Sequence, residues 1–385
     1  MQHKRPHWVM RGFALLIFGL LLGTVLWDVL GVSDPTTHPV AALTAPQRPT
    51  PTPDPNTPEN EGGPVEDTAL PVDSADGLKP LAIEEHPMSI TAMRQRTYPG
   101  STITFEETLD PGTTYNQYVV SYLSEGNKIF ALMSIPFGQR PATGWPVVVF
   151  NHGYIPPEVY RTTERYVDYF AAFANAGYIT FKSDYRGHGF SEGNPGGAYS
   201  SPDYVVDVLN AVASLKAYPD ADANRIGMWG HSMGGYITLR AMVIDPSIKA
   251  GVIWGGVVAS YPDLFTLWWR PREANNDSTI TPERRRWRDR MIEDYGTPEE
   301  NPEFWNAISA NSYLADLSGP IQLHHSTTDE TVPIAMSDVL YGQILEAGGL
   351  VEYYQYIGDD HDITYNLYTA LARSVAFFDV WVKGM

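Results

Sequence analysis

The chain carries the serine pattern G-x-S-x-G twice, as Gly189-Phe190-Ser191-Glu192-Gly193 and as Gly230-His231-Ser232-Met233-Gly234. In this pattern small residues flank a sharp turn that exposes a serine hydroxyl for nucleophilic attack on an acyl carbon. It works only where a strand enters the turn and a helix leaves it. Ser191 lies in a glycine-rich loop followed by Asn194-Pro195-Gly196-Gly197, with no strand before it and no helix after it. Ser232 follows the apolar run Arg225–Trp229 and opens a helical stretch near Gly235. A helix N-terminus there favours the negative charge that develops during acyl transfer. Ser232 is therefore the expected nucleophile, and Ser191 a chance match.

A serine needs a base, and the base needs an acid that orients it. In a parallel sheet the working residues sit in loops at the carboxyl ends of strands. After Ile321–His325 comes Ser326-Thr327-Thr328-Asp329, and after Val351–Ile357 comes Gly358-Asp359-Asp360-His361-Asp362. The order Ser232, Asp329, His361 is the chain order of an α/β-hydrolase triad. Rival residues have plainer readings. His231 precedes the nucleophile and should point away from it. His324 and His325 lie on a strand, where packing is the expected role. His152 and His188 stand in glycine-flanked loops, and Asp263 follows an earlier strand than the acid should.

The oxyanion of a tetrahedral intermediate needs two donors. One is expected to be the backbone N–H of Met233, directly after the nucleophile. The other is expected in Asn151-His152-Gly153-Tyr154, after the strand Pro146–Phe150, and is assigned to the N–H of Tyr154, with the Tyr154 hydroxyl as the alternative. Asp359, Asp360, His361 and Asp362 have metal-ligand chemistry. Neighbours in one loop seldom converge on an ion without distant ligands, so no metal is expected. Neither a phosphate-binding G-x-x-x-x-G-K nor a dinucleotide G-x-G-x-x-G motif is present, so no cofactor is expected.

The elements that must position these residues follow from periodicity. Tyr115–Leu123 and Lys128–Ile135 read as strands joined by Ser124-Glu125-Gly126-Asn127, a hairpin turn. Pro146–Phe150 is a continuous apolar run, suited to a strand buried on both faces. Further strands are expected at Tyr178–Lys182, Arg225–Trp229, Ala250–Trp254, Ile321–His325 and Val351–Ile357. Helices are expected at Arg165–Ala176, Pro202–Ala217, Gly234–Ile244 and Tyr365–Val382. This alternation implies an α/β fold, a mostly parallel sheet with helices on both faces. Residues 260–318 lack a strand signal but carry Tyr261, Phe265, Trp268, Trp269, Trp287, Phe304 and Trp305. They read as a helical cap insertion that covers a sheet edge and offers an apolar acyl or aryl pocket. Its basic cluster, Arg284, Arg285, Arg286, Arg288 and Arg290, reads as a solvated face paired with nearby acids.

Composition bounds the rest. The 385 residues include 45 acidic and 26 basic side chains, a net charge of -19, and no cysteine. An acidic chain lacks the basic face that nucleic acid requires, so no nucleic-acid partner is expected. Without cysteine there is no disulfide and no thiolate chemistry. Residues 1–33 hold Lys4, Arg5 and Arg11 before the uncharged run Gly12–Trp27. This reads as a membrane anchor helix that places the following chain outside the cytoplasm, with a cleaved signal segment as the alternative. Residues 34–85 are a tether rich in Pro, Thr and acidic residues, without a packed core; 11 of the 31 prolines fall in 34–80. Nine acidic residues and one lysine between Asp54 and Glu85 put -8 of the net charge in this tether. Residues 86–385 form the catalytic domain, with the cap at about 260–318.

Taken together, Asn151-His152-Gly153, Asp184-Tyr185-Arg186-Gly187-His188-Gly189-Phe190-Ser191, Gly230-His231-Ser232-Met233-Gly234-Gly235 and the Asp329/His361 pair resemble the prolyl-oligopeptidase (S9) catalytic domain of the α/β-hydrolases. The resemblance spans roughly residues 115–385. It implies cofactor-free serine peptidase or esterase chemistry, with Ser232, Asp329 and His361 as the triad. Two departures stand out. S9 peptidases usually carry an N-terminal β-propeller, for which residues 34–114 are too short, and His325-Ser326 replaces the usual His-Gly. The expected function is acyl transfer to water on small carboxylic esters or short peptides, esters being favoured because no anchor for a peptide amino terminus is evident. The alternative is a catalytically inactive hydrolase-fold protein that binds at the cell surface.

Overall fold

The computed structural model describes residues 82–268 and 282–385, with residues 282–286 described by backbone alone. The expected anchor, most of the expected tether and part of the cap fall outside the described residues. Among the described residues no helix is long and apolar enough to cross a membrane.

Nine strands form one sheet: β1 (Thr104–Leu109), β2 (Tyr115–Ser124), β3 (Asn127–Pro136), β4 (Trp145–Asn151), β5 (Ile179–Ser183), β6 (Ala221–His231), β7 (Ile248–Trp254), β8 (Ile321–Ser326) and β9 (Val351–Tyr356). Their order is β1-β2-β3-β5-β4-β6-β7-β8-β9. The first four in that order pair antiparallel, and the rest pair parallel. The β2–β3 hairpin closes where the sequence places it, with Ser124 opposite Asn127. Its two turn residues, Glu125 and Gly126, take φ of 51° and 83°, as a tight primed turn demands.

The parallel centre is buried because helices cover both faces. Val147, Val148, Val149 and Phe150 of β4 are all fully buried, which explains why they read as an unbroken apolar run. Each such side chain contributes on the order of 1.5–3 kcal/mol. On one face lie α3 (Asp203–Ala217) and α4 (Met233–Ile244), on the core built from Val147, Val149, Ile226 and Met228. On the other face Val148, Phe150, Trp229, Val252 and Trp254 pack with residues of α2 (Val167–Asn175) and α9 (Leu367–Phe378). Phe150 and Trp229 stack there with centroids 4.2 Å apart.

Three elements had no signal in the sequence: α1 (Ile90–Gln95), β1, and α8 (Ala335–Glu346). A 3-10 turn, Ile83–Glu85, precedes α1. The described helices of the insertion are α5 (Tyr261–Leu267), α6 (Pro282–Tyr295) and α7 (Pro302–Ala307). They lie between β7 and β8, strands interior to the sheet, and their buried residues Tyr261, Leu264, Met291, Phe304 and Trp305 join the core that α4 belongs to. Arg240 of α4 donates to the Ile308 carbonyl, fastening the end of the insertion to that helix.

Candidate active site

The turn that carries Ser232 is built by close backbone approach. Ser232 stands between β6 and α4 with φ 54° and ψ -118°, a conformation an L-residue adopts only when its surroundings enforce it. Its N–H donates to the Trp254 carbonyl at 2.9 Å, and its carbonyl accepts from Gly235 and Val257 at 3.0 and 3.1 Å. Its side chain makes no cap hydrogen bond to α4. A Cβ at Gly234 would stand 1.9 Å from the Asn151 carbonyl oxygen, and one at Gly230 would stand 2.2 Å from the Gly234 carbonyl oxygen. Both glycines of the motif are therefore required by space.

Across the turn, the loop after β4 abuts the serine: a Cβ at Gly153 would lie 3.2 Å from Ser232 Cβ. Tyr154 follows directly and is 44% exposed. Met233 is the first residue of α4, where an amide has no intrahelical acceptor. The two expected oxyanion donors thus come from segments that flank Ser232.

Asp329 and His361 are joined directly. His361 Nδ1 donates to Asp329 Oδ2 at 2.6 Å. The other oxygen of Asp329 accepts the N–H groups of Thr331 and Val332, both at 2.8 Å. Burial alone would raise the pKa of this carboxyl. Hydrogen bonds from His325 and His361 outweigh it and hold the group well below the usual carboxylate range. The His361 imidazole lies beside the serine turn, since a Cβ at Gly255 would stand 3.1 Å from its Nδ1, and Gly255 follows the Trp254 that binds Ser232.

Ser191, Asp263, His152 and Asp359 are held by other partners, whereas His231 packs against His361 with ring centroids 4.5 Å apart. Ser191 Oγ is buried and accepts the Phe130 N–H at 2.9 Å, a structural bond to β3. Asp263 accepts the Ser260 hydroxyl at 2.6 Å in the first turn of α5. His152 is stacked between Tyr160 and Tyr185, with centroids at 4.7 and 4.3 Å. Asp359 accepts the backbone N–H groups of Asp360, Tyr365 and Asn366, so this acid shapes the loop that carries His361.

One contributor escaped the sequence reading. His325 does not merely pack: its Nε2 lies 3.1 Å from Asp329 Oδ2 and 2.9 Å from the Val332 carbonyl, while Nδ1 lies 2.7 Å from Ser337 Oγ. The available signal was its spacing, a histidine four residues before the acid across a tight turn. His324, its strand neighbour, points to the opposite face and pairs with Tyr356 and Gln322, both at 2.7 Å.

Beside the acid loop stands an aromatic cluster. Trp268 Nε1 donates to the Thr331 carbonyl at 3.0 Å, and its ring lies 5.9 Å from Tyr199, which lies 5.6 Å from Trp287. Arg288 is not a solvated cation, since its guanidinium lies 5.4 Å from the Trp268 and Trp287 ring centroids. The side chains of Arg284, Arg285 and Arg286 lie outside the described residues.

This sheet, with a strained serine at the β6–α4 turn and an acid–histidine pair after β8 and β9, gives the chain an α/β-hydrolase fold. The serine aminopeptidase (S33) family matches residues 145–293. The chain is 25% identical over 269 residues to a probable dipeptidyl peptidase 4 of Aspergillus flavus, covering 66% of this chain and 32% of that protein. It is 25% identical over 250 residues to human dipeptidyl peptidase 8, covering 62% of this chain and 25% of that one. It thus spans no more than about a third of the length of these curated relatives. Among solved structures it is similar to an acetyl xylan esterase from Paenibacillus, with TM-score 0.57 and 18% identity over 76% of this chain and 92% of the esterase. It is also similar to the Pyrococcus horikoshii acylaminoacyl peptidase, with TM-score 0.54 and 24% identity over 70% of this chain and 42% of the peptidase. The likeness to the solved structures shows the fold.

Proposed function

We propose that the chain is a serine hydrolase that transfers an acyl group to water, with Ser232 as nucleophile, His361 as general base and Asp329 as the orienting acid. The observation that carries this reading is the 2.6 Å bond from His361 Nδ1 to the buried Asp329, set beside a serine held at φ 54°. With Nδ1 donating to the carboxylate, Nε2 is the nitrogen left to take the Ser232 proton. Oγ then attacks the carbonyl carbon, and the N–H groups of Met233 and Tyr154 receive the oxyanion. His361 returns the proton to the leaving alcohol or amine. Water, activated by the same imidazole, then releases the acyl group and restores the serine.

The substrates proposed are small carboxylic esters or short peptides. The aromatic wall of Tyr199, Trp268 and Trp287 beside the acid loop supports an apolar acyl or aryl group. Residues 1–33 are proposed to anchor the protein with its catalytic domain outside the cytoplasm. Recovery of both the full chain and a chain without residues 1–33 in the soluble fraction would count against this anchor.

The test of the activity is labelling of the full chain by a fluorophosphonate, followed by turnover of p-nitrophenyl esters and aminoacyl anilides. Ser232→Ala should abolish labelling and Ser191→Ala should leave it intact. Labelling that survives Ser232→Ala would overturn the assignment, and the faster substrate class decides between esterase and peptidase.

A further inference from the structure

A single chain of hydrogen bonds runs from the loop that carries Tyr154 to the backbone of His361. Gly153 N–H donates to the Tyr166 hydroxyl at 3.0 Å, Tyr166 Oη lies 2.7 Å from His231 Nδ1, and His231 Nε2 lies 3.1 Å from the His361 carbonyl oxygen. The direction of every bond follows from the groups themselves. A carbonyl only accepts, so His231 Nε2 carries a proton. Burial, and then the neighbouring His361, hold the His231 pKa down at about 3, so the imidazole is neutral and its Nδ1 accepts. The Tyr166 hydroxyl therefore donates to Nδ1 and accepts from Gly153. Each donor has one acceptor, and one orientation satisfies all three bonds.

Four separate segments meet in this chain: the loop after β4, the residue before α2, the last residue of β6, and the loop after β9. Tyr166 holds φ 54° and Arg165 before it φ 59°, two successive non-glycine residues in the left-handed region. Such residues are strained and persist where their surroundings enforce them. Aromatic faces enforce this one: the Tyr166 ring packs against Phe150 and Trp229 at 5.5 and 6.2 Å. The His231 ring lies 4.5 Å from that of His361, and its Nε2 also lies 3.5 Å from Asp362 Oδ1. With 2% of its surface exposed and both nitrogens engaged, His231 is not itself a base.

We propose that Tyr166 and His231 are positioning residues, which lock the spacing between the oxyanion loop and the His361 imidazole. The proposal rests on the reading of Ser232 and His361 as nucleophile and base. The oxyanion donor of Tyr154 directly follows the first member of the chain, and the base is its last. Breaking the chain loosens both partners of the transition state while leaving the substrate pocket in place. The loss therefore falls on kcat and spares KM.

The experiment uses the full chain and compares Tyr166→Phe, His231→Gln and His231→Leu. Each is measured for kcat and KM on a p-nitrophenyl ester, for fluorophosphonate labelling rate and for urea midpoint. A glutamine amide reaches where imidazole Nε2 sits and restores the donor to the His361 carbonyl; leucine does not. Tyr166→Phe removes both hydrogen bonds of the hydroxyl and should lower kcat about tenfold or more with KM within about twofold. His231→Gln, which keeps the donor to the His361 carbonyl but loses the acceptor for Tyr166, should fall about tenfold like Tyr166→Phe, while the Leu variant, which loses both links, falls further. Folded Tyr166→Phe and His231→Leu proteins with the parental kcat would overturn the proposal, as would a Gln variant no better than Leu. If His231→Leu does not fold, Tyr166→Phe, which removes one oxygen, decides alone. A parent chain without Ser232-dependent labelling defeats the hydrolase reading. A labelled parent with unaffected variants defeats only the positioning role.

Discussion

Asp329 Oδ2 receives two imidazoles, His361 Nδ1 at 2.6 Å and His325 Nε2 at 3.1 Å. An amide nitrogen in place of that oxygen would face two donors with a third, and the base would lose the acceptor that sets its tautomer. Asp329→Asn should therefore lower turnover by about 10⁴ while the protein still folds. Steady-state kinetics beside circular dichroism checks this, and a folded variant within about tenfold of the parent would remove Asp329 from the mechanism.

The His325 imidazole serves three partners that have no contact with water. Besides the carboxylate it reaches the Val332 carbonyl at 2.9 Å and the Ser337 hydroxyl at 2.7 Å. Leucine there leaves three buried polar groups short of a partner, at about 1–3 kcal/mol for a group left unsatisfied. His325→Leu should lower the unfolding free energy by several kcal/mol and slow turnover as the acid loop loosens. An unchanged urea midpoint would show that the contact contributes nothing.

These two relationships mark how far sequence reading reaches and where it stops. The pairing of Asp329 with His361 was legible because each residue follows an apolar strand in a parallel sheet, where loop position and chain order carry the information. His325 was not, because a histidine on a strand reads as packing until the turn after it brings Asp329 back. The core strands were legible for a physical reason, since burial on both faces makes Val147–Phe150 uniformly apolar. Edge strand β1 has the opposite character: Thr104 to Thr108 are all exposed and include Glu106 and Glu107, so pairing with β2 alone makes it a strand. Helix α8 has Gly342 in its interior, which weakens its local signal. The placement of β5 between β3 and β4 is a tertiary choice that periodicity does not encode.

The serine turn has no room for a methyl group. At Gly234 the clash is with backbone, the Asn151 carbonyl oxygen at 1.9 Å, so no side-chain rotation relieves it. Gly234→Ala should cost more than about 3 kcal/mol or prevent soluble expression, beyond the ordinary range of single substitutions. Gly342→Ala, in an open position on α8, should instead be neutral or stabilising by up to about 1 kcal/mol. Equal urea midpoints for the two variants would refute the close approach.

Acid should destabilise the fold through histidines buried neutral, and His324 isolates the effect. It is fully buried, its Nδ1 accepts from the Tyr356 hydroxyl and its Nε2 donates to Gln322. Burial, and then the nearby Arg373, hold its pKa well below 6.5. His152 is lowered in the same way, and His231 to about 3. In the unfolded chain a histidine takes its proton near pH 6.5. Below that pH the unfolded state therefore binds more protons than the folded one, and stability falls as pH falls. Asp184 opposes this, because burial raises its pKa and the fold then holds a proton more readily than the unfolded chain does. Comparing the parent with His324→Gln cancels these shared contributions. The parent's advantage should be constant above pH 7 and should shrink by about 1.4 kcal/mol per pH unit below 6.5. Urea titrations at intervals from pH 7.5 to 5 measure it, and a difference that stays constant across that range would mean that the fold does not shift the pKa of His324.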